Sequence, residues 1–211
     1  MNSPTPIVFV VDDDEHVRNA LSRLLRSGGY TVEAYGSASA FLHGADLTSA
    51  PACLLLDLQL PDLSGIELQQ RLEGRVPIVF VSAHGDMGTA VQAMKAGASD
   101  FLTKPIDASV LFEATSRALE RGCQLFEQRE QHAEIQRRVE KLTPREREVM
   151  ALVVIGRPNK LVADELGAAE KTIKIHRARV MEKMKANSLA DLVRLMTTFD
   201  ADEPHPLRHT G

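Results

Sequence analysis

Five short apolar runs constrain this chain more than any other feature, because four of them stop on a polar group. Ile7–Val11 is followed by Asp12 and Asp13, Ala52–Leu56 by Asp57, Pro77–Val81 by Ser82, and Phe101–Thr103 by Lys104 and Pro105. The fifth run, Thr31–Tyr35, carries no such group. Short apolar runs bounded by turn signals read as buried strands. Near-continuous apolar strands belong to parallel sheets covered on both faces. In an open sheet of that kind the carboxyl ends line one edge, and ligands bind there. Four polar clusters far apart in sequence are therefore expected to meet in one pocket.

Helical patterns alternate with the runs. Val17, Leu21, Leu24 and Leu25 share one face, and Gly28-Gly29 end that helix. Further helices are expected over Ser37–His43, Ile66–Leu72 and Met87–Lys95, and from about Asp107, a suitable N-cap. Five such units predict an α/β fold, a doubly wound five-stranded parallel sheet over residues 5–120. The last helix lacks a clean stop, since no proline falls between Leu111 and Leu142 and only Gly122 interrupts it. Leu125, His132, Ile135, Val139 and Leu142 lie near heptad spacing. Residues 121–141 therefore read either as a solvated linker helix docked on its neighbours or as a signalling helix that pairs in a dimer.

From Thr143 the character changes. Thr143, Pro144 and Glu146 form a helix start, with Val149, Leu152 and Val153 as its apolar face. Gly156–Asn159 is a turn, and helices follow over Lys160–Leu166, Glu170–Lys185 and Ser188–Thr198. Four short helices with tight turns predict a helix-turn-helix domain over residues 142–199. The tail, 200–211, holds two prolines and few apolar residues and is expected to be disordered.

Charge supports a division of labour. Residues 1–120 carry a net −7 and residues 121–211 a net +3. An acidic front suits phosphate chemistry through a cation, and a basic back suits nucleic acid. No run of about 18 apolar residues is present, so no membrane partner is expected. The start of the chain lacks the basic-then-apolar order of a signal peptide. Cys53 and Cys123 form no metal or disulfide pattern. A cytoplasmic setting fits these features.

A lone aspartate after a strand is usually a helix cap or a solvated strand end. That bland reading weakens for Asp57 because Asp12, Asp13 and Lys104 occupy equivalent strand ends. Clustered carboxylates repel unless a divalent cation lies among them, and Mg²⁺ takes oxygen ligands and works with phosphate oxygens. A carboxylate beside such a cation can attack phosphorus. A lysine and a hydroxyl such as that of Ser82 can then hold the phosphoryl oxygens.

Val10-Val11-Asp12-Asp13-Asp14, Leu56-Asp57, Val81-Ser82-Ala83 and Lys104-Pro105 together resemble the receiver domain of bacterial response regulators, over residues 5–120. The resemblance implies that Asp57 is the phosphoacceptor, served by a sensor histidine kinase. It implies that Asp13 binds Mg²⁺ (or Mn²⁺) directly, Asp12 largely through water, and that the Gln59 carbonyl completes the set with Asp57. Ser82 and Lys104 read the phosphoryl group, and Phe101 matches the family's switching aromatic, although core packing alone also explains it. Gln59 and His84 hold positions that tune phosphate lifetime in the family; His84 serves equally well as a loop residue. The resemblance further implies a homodimer formed through the fourth helix and fifth strand.

Residues 142–198 resemble the LuxR/NarL-type output domain. The matching pieces are Leu142–Val149, Asn159-Lys160, Lys171–Arg177 and Glu182-Lys183-Met184. With the receiver this resembles a FixJ-type regulator, which implies double-stranded DNA and RNA polymerase as partners. A helical wheel puts Ile173, Val180 and Met184 in the core and Lys171, Lys174, Ile175, Ala178 and Glu182 opposite, a face whose Lys, Ile and Ala suit the major groove. Thr172, Arg179, Lys160 and Lys185 flank it and suit phosphates. Arg177 lies nearer the core edge. A solvated basic helix is the plainer account of this face. Ala169 stands where the family usually has a capping Ser or Thr, an expected loss of about 1 kcal/mol of local helix stability. An aspartyl phosphatase of the haloacid-dehalogenase type would need a second Asp where Gln59 stands, so enzymatic turnover of an outside substrate is not expected. A phosphate-independent binding protein with a degenerate receiver sits poorly with the full set of Asp12, Asp13, Asp57, Ser82 and Lys104.

Overall fold

In a computed structural model describing residues 4–83 and 87–202, the five apolar runs form one parallel sheet. The strands are β1 (Ile7–Val11), β2 (Thr31–Tyr35), β3 (Ala52–Asp57), β4 (Ile78–Ser82) and β5 (Asp100–Thr103), in the order β2-β1-β3-β4-β5. Central β3 and β4 are buried at every position, whereas edge strand β2 buries only Val32. That explains why β2 reads as a less continuous apolar run than its neighbours.

Helices cover both faces: α1 (Glu15–Ser27), α2 (Ala38–Gly44), α3 (Gly65–Leu72), α4 (Met87–Lys95) and α5 (Ala108–Glu140). Successive strand residues point to opposite faces, so each strand feeds two cores. Phe9, Leu54, Leu56 and Phe80 pack with Phe41, Leu68 and Leu72 on one side. Val8, Val10, Leu55 and Val79 pack with Leu21, Leu25, Leu111 and Ala118 on the other. A fully buried leucine or phenylalanine contributes about 1.5–3 kcal/mol. Cys53 is buried in the second core, and its burial pushes its thiol pKa upward.

The chain divides into two compact units, residues 1–127 and 128–211. The stretch 121–141, expected to be a helical linker, continues α5, one helix of 33 residues within which the boundary between the units falls. Gly122 does not interrupt it. A Cβ there would fall on the Ala52 carbonyl oxygen, so the glycine allows the helix backbone to approach β3 closely.

The second unit contains α6 (Pro144–Val154), α7 (Asn159–Glu165), α8 (Glu170–Met184) and α9 (Leu189–Asp202) around Val149, Val153, Val162, Ile173, Val180 and Leu192. Ile135, near the end of α5, and Leu142 are buried in this same core, with Val139 against it. His132 stacks on Phe199, ring centroids 4.6 Å apart. The heptad-spaced residues at 132–142 therefore owe their spacing to packing within their own chain. The tail also departs from expectation: α9 continues to Asp202, past the assigned start of disorder at residue 200, and 203–211 lie outside the described residues. No helix among the described residues is long and apolar enough to cross a membrane.

Replacing Gly122 with Ala should destabilise the first unit by about 1–3 kcal/mol through overpacking against β3. Urea unfolding monitored by circular dichroism should give a lower midpoint at an unchanged slope.

Candidate functional site

The strand order explains why the polar termini meet. The connections run outward from β1 in opposite directions, to β2 on one side and to β3 on the other, so a crevice opens at the carboxyl ends of β1 and β3. Val11 pairs with Leu56, which sets Asp12 and Asp57 side by side. Ser82 pairs with Thr103, which brings Lys104 to the same edge two strands away.

Each carboxylate is aimed by its own backbone. Asp12 Oδ1 accepts from the Asp14 N–H at 3.0 Å, and Asp57 Oδ1 accepts from the Gln59 N–H at 3.0 Å. Both second oxygens then receive Lys104 Nζ, Asp12 Oδ2 at 2.8 Å and Asp57 Oδ2 at 2.6 Å. The Lys104 N–H donates to the Ser82 carbonyl at 2.8 Å, anchoring the lysine to β4. Ser82 itself is buried at the strand end. Ligand oxygens of Asp12, Asp13 and Asp57 all lie within 4.8 Å of one another. An open cleft of about 510 Å³ is lined by Asp13, Asp14, Asp57, Gln59, Ala83 and Lys104 among others.

The electrostatics are unbalanced. Burial raises the pKa of Asp12, which is 1% exposed, and Lys104 only partly opposes that rise. Burial pulls Lys104 downward, but its hydrogen bonds to Asp12 and Asp57 and their charges outweigh it, so its pKa is raised. One ammonium faces three carboxylates. A hard divalent cation with oxygen ligands fits that donor set and that charge deficit.

Asp14 and Arg18 belong to the same assembly although the sequence reading gave them no role. Asp14 caps α1 by accepting from the His16 and Val17 N–H groups, which lower its pKa. Arg18 Nη1 donates to the Asp12 carbonyl at 2.7 Å and the Asp13 carbonyl at 3.3 Å, holding the β1–α1 turn. The signal was faint: an arginine one turn past a cap that follows a strand end. Asp62 was missed too; it accepts from the Ala38 and Ser39 N–H groups and ties the loop after Asp57 to the start of α2. Phe101 is half-buried on β5, its ring 6.1 Å from Phe80. His84 lies outside the described residues.

On the second unit, Ile173, Val180 and Met184 of α8 are buried, and Lys171, Thr172, Lys174, Ile175, Ala178 and Arg179 are exposed. Ile175 is 48% exposed. Lys174 pairs with Glu170 at 3.0 Å in a solvated bridge of little net value. Lys160 is exposed on α7, and Lys185 is exposed at the left-handed C-cap of α8. Ala169 is the N-cap of α8 and makes no side-chain capping bond. Arg177 donates to Asn159 Oδ1 at 3.1 Å and so braces α8 against α7.

Residues 8–116 match the family model described as response regulator receiver domain, and residues 140–196 match bacterial regulatory proteins, luxR family. The chain is a response regulator of the FixJ type, a receiver joined to a LuxR-family DNA-binding domain. It is 46% identical to Nodulation protein W of Bradyrhizobium diazoefficiens, over 96% of this chain and 90% of that protein. It is 42% identical to the transcriptional regulatory protein FixJ of Rhizobium meliloti, over 89% of this chain and 93% of that one. Among solved structures, the response regulator StyR matches with a TM-score of 0.77 at 43% identity, over 92% of this chain and 99% of that one.

One charge pair, a buried glutamate and a half-buried lysine, braces the DNA-binding domain of this regulator. Thr143 and Glu146 form a capping box at the start of α6, and Lys183 Nζ of α8 reaches Glu146 Oε2 at 2.6 Å. Lys183 and the Thr143 N–H hold the Glu146 pKa down at about 2. A depressed carboxyl stabilises the folded state fully above its unfolded value near 4.5, and that contribution is lost as pH falls toward 2. Glu146→Gln keeps a capping-competent side chain but loses the charge. It should lower the unfolding midpoint of this domain at pH 7 and flatten its pH dependence between about 4.5 and 2, read by thermal melts across that range.

Proposed function

We propose that this response regulator accepts a phosphoryl group on Asp57 from a sensor histidine kinase. Phosphorylation then promotes receiver pairing and sequence-specific DNA binding, through which the protein regulates transcription together with RNA polymerase in the cytoplasm. The single observation that carries the reading is Lys104 bridging Asp12 and Asp57 beside Asp13 at the sheet's switch point.

Asp12, Asp13, Asp57 and the Gln59 carbonyl are the residues proposed to hold Mg²⁺ (or Mn²⁺), which when bound would supply positive charge to the phosphoryl oxygens. A carboxylate oxygen of Asp57 forms a bond to phosphorus as the bond to the donor's imidazole nitrogen breaks. Asp57 Oδ1 is already fixed by the Gln59 N–H, which limits the rotations left to the nucleophile. Lys104 pairs with Asp57 before transfer and is within reach to pair with the phosphoryl oxygens afterwards. Ser82, one strand over, donates its hydroxyl to one of those oxygens. Its movement toward the phosphate makes room for Phe101, which packs on Phe80, to turn inward. Gln59, and His84 outside the described residues, govern how water reaches the acyl phosphate.

The surface near Phe101 supports pairing through α4 and β5. Met87 is 83% exposed, and Val91 and Met94 are also exposed. Apolar side chains clustered on one exposed helix favour association. On DNA, α8 enters the major groove with Lys171, Lys174, Ile175 and Ala178 toward base edges. Thr172, Arg179, Lys160 and Lys185 meet phosphates.

Acetyl phosphate with Mg²⁺ should add one phosphoryl mass to the intact protein and shift it toward dimer in light scattering. Asp57→Ala should abolish both changes, and Lys104→Ala should keep the site but weaken the shift. A mass increase that survives in Asp57→Ala would refute the assignment.

Lys160→Ala should weaken binding to all duplexes alike and reduce the salt slope by about 1. Lys171→Ala should instead cost about 1–3 kcal/mol on a preferred duplex and relax base preference. Fluorescence anisotropy over a salt series separates the two behaviours.

A further inference from the structure

The C-terminal ends of α5 and α8 cap each other. Arg138, on the last turn of α5, donates through Nη1 to the Met184 carbonyl at the end of α8, 3.1 Å away. Lys183, on the last turn of α8, donates through Nζ to the Lys141 carbonyl just past α5, also at 3.1 Å. Helix C-termini present unsatisfied carbonyls and the negative end of the macrodipole, so a cation from the facing helix suits both.

Further carbonyls at these ends are also engaged. The Glu140 carbonyl accepts from Arg147 at 3.3 Å. The Glu182 and Met181 carbonyls accept from the N–H groups of Lys185 and Ala186 in the turn that closes α8. Each cation is itself held by an acid. Glu134 accepts from Arg138 Nε at 3.0 Å, and Glu146 from Lys183 at 2.6 Å. Ile135 and Met184 are buried beside the clamp in one core. A guanidinium held at Nε and donating from Nη1 has a defined direction that a flexible side chain lacks.

We infer that Arg138 and Lys183 are positioning residues for DNA recognition, a clamp that fixes the recognition helix to the end of α5 within the second unit. The inference rests on the reading that α8 enters the major groove. Base readout needs side chains placed within about 0.5 Å, whereas phosphate attraction tolerates a loose domain. Loosening the clamp therefore affects discrimination between sequences before it affects general affinity. Arg138 is spent on a carbonyl and a carboxylate, so its loss removes no phosphate contact and leaves the salt slope alone.

The test uses the full chain, with and without acetyl phosphate. Its probes are a duplex selected by the wild-type protein from a random-sequence pool and a scrambled duplex of equal length. Arg138→Gln should lose about five-fold or more in the affinity ratio between the two duplexes. Its salt slope and its affinity for the scrambled duplex should match wild type. Arg138→Lys, which keeps the charge but whose single ammonium lacks the fixed two-point geometry, should restore part of the ratio. Should Arg138→Gln fail to fold, Glu134→Ala, which leaves the guanidinium but removes its support and also releases Lys185, is expected to lose the ratio while binding the scrambled duplex no more weakly than wild type. An unchanged ratio in the folded variants, or equal weakening on both duplexes, overturns the inference. The comparison on unphosphorylated protein keeps it separate from the phosphorylation reading. Wild-type protein that gains nothing from acetyl phosphate defeats that reading and leaves the clamp result standing.

Discussion

Three carboxylates and one ammonium meet where the sheet changes its direction of winding, and the rest of the receiver is organised around that excess of negative charge. Asp12 and Asp57 are neighbours because β1 and β3 pair in parallel with Val11 opposite Leu56. Lys104 bridges them from β5, anchored through its N–H to β4. One oxygen of each carboxylate is tied to a backbone N–H two residues ahead, which frees the other for the ammonium. The cluster is tolerable only because it lies at an open edge, where a cation and water can reach it. Buried deeper, it would cost more than one lysine repays.

This arrangement suits a protein whose product is a conformational state. The open cleft is lined by Asp13, Asp57 and Lys104 together with Leu60, Pro61 and Ala83. A phosphoryl group placed there changes the partners available to Lys104 and Ser82, both backed directly by β4 and β5. Phe101 lies on β5 against Phe80, so the strand that carries the lysine also carries the aromatic. Site and exposed surface are then separated by one strand's thickness.

The DNA-binding half solves a different problem. Its helices are short, and short helices gain most of their stability from packing rather than propensity. Glu146 and Lys183 join the start of α6 to the end of α8, and the reciprocal capping by Arg138 joins the end of α8 to α5. On the exposed side of α8, Lys174 pairs weakly with Glu170, and Lys185 at the C-cap pairs with Glu134. The N-terminal end of α8 is less secured, since Ala169 offers no capping oxygen.

Much of this was legible in the sequence, because period and punctuation are local. Apolar runs ending in Asp12, Asp57, Ser82 and Lys104 specified parallel strands and a shared edge, and the spacing of Ile173, Val180 and Met184 specified the buried side of α8. Residues whose roles depend on distant backbone were not legible. Gly122 looked like an interruption, yet its significance lies in a carbonyl 70 residues earlier in the chain. Ile135, Val139 and Leu142 had heptad spacing, but a periodic stripe records only that one face is covered, not by what. Arg138 and Lys183 looked like ordinary surface cations until the two helix ends met. The sequence alone determined which groups could do chemistry and which faces had to be buried, since both follow from residue type and period. Tertiary structure alone decided which carbonyl each cation serves and which core the end of α5 joins, because those partners are chosen by the packing of segments far apart in the chain.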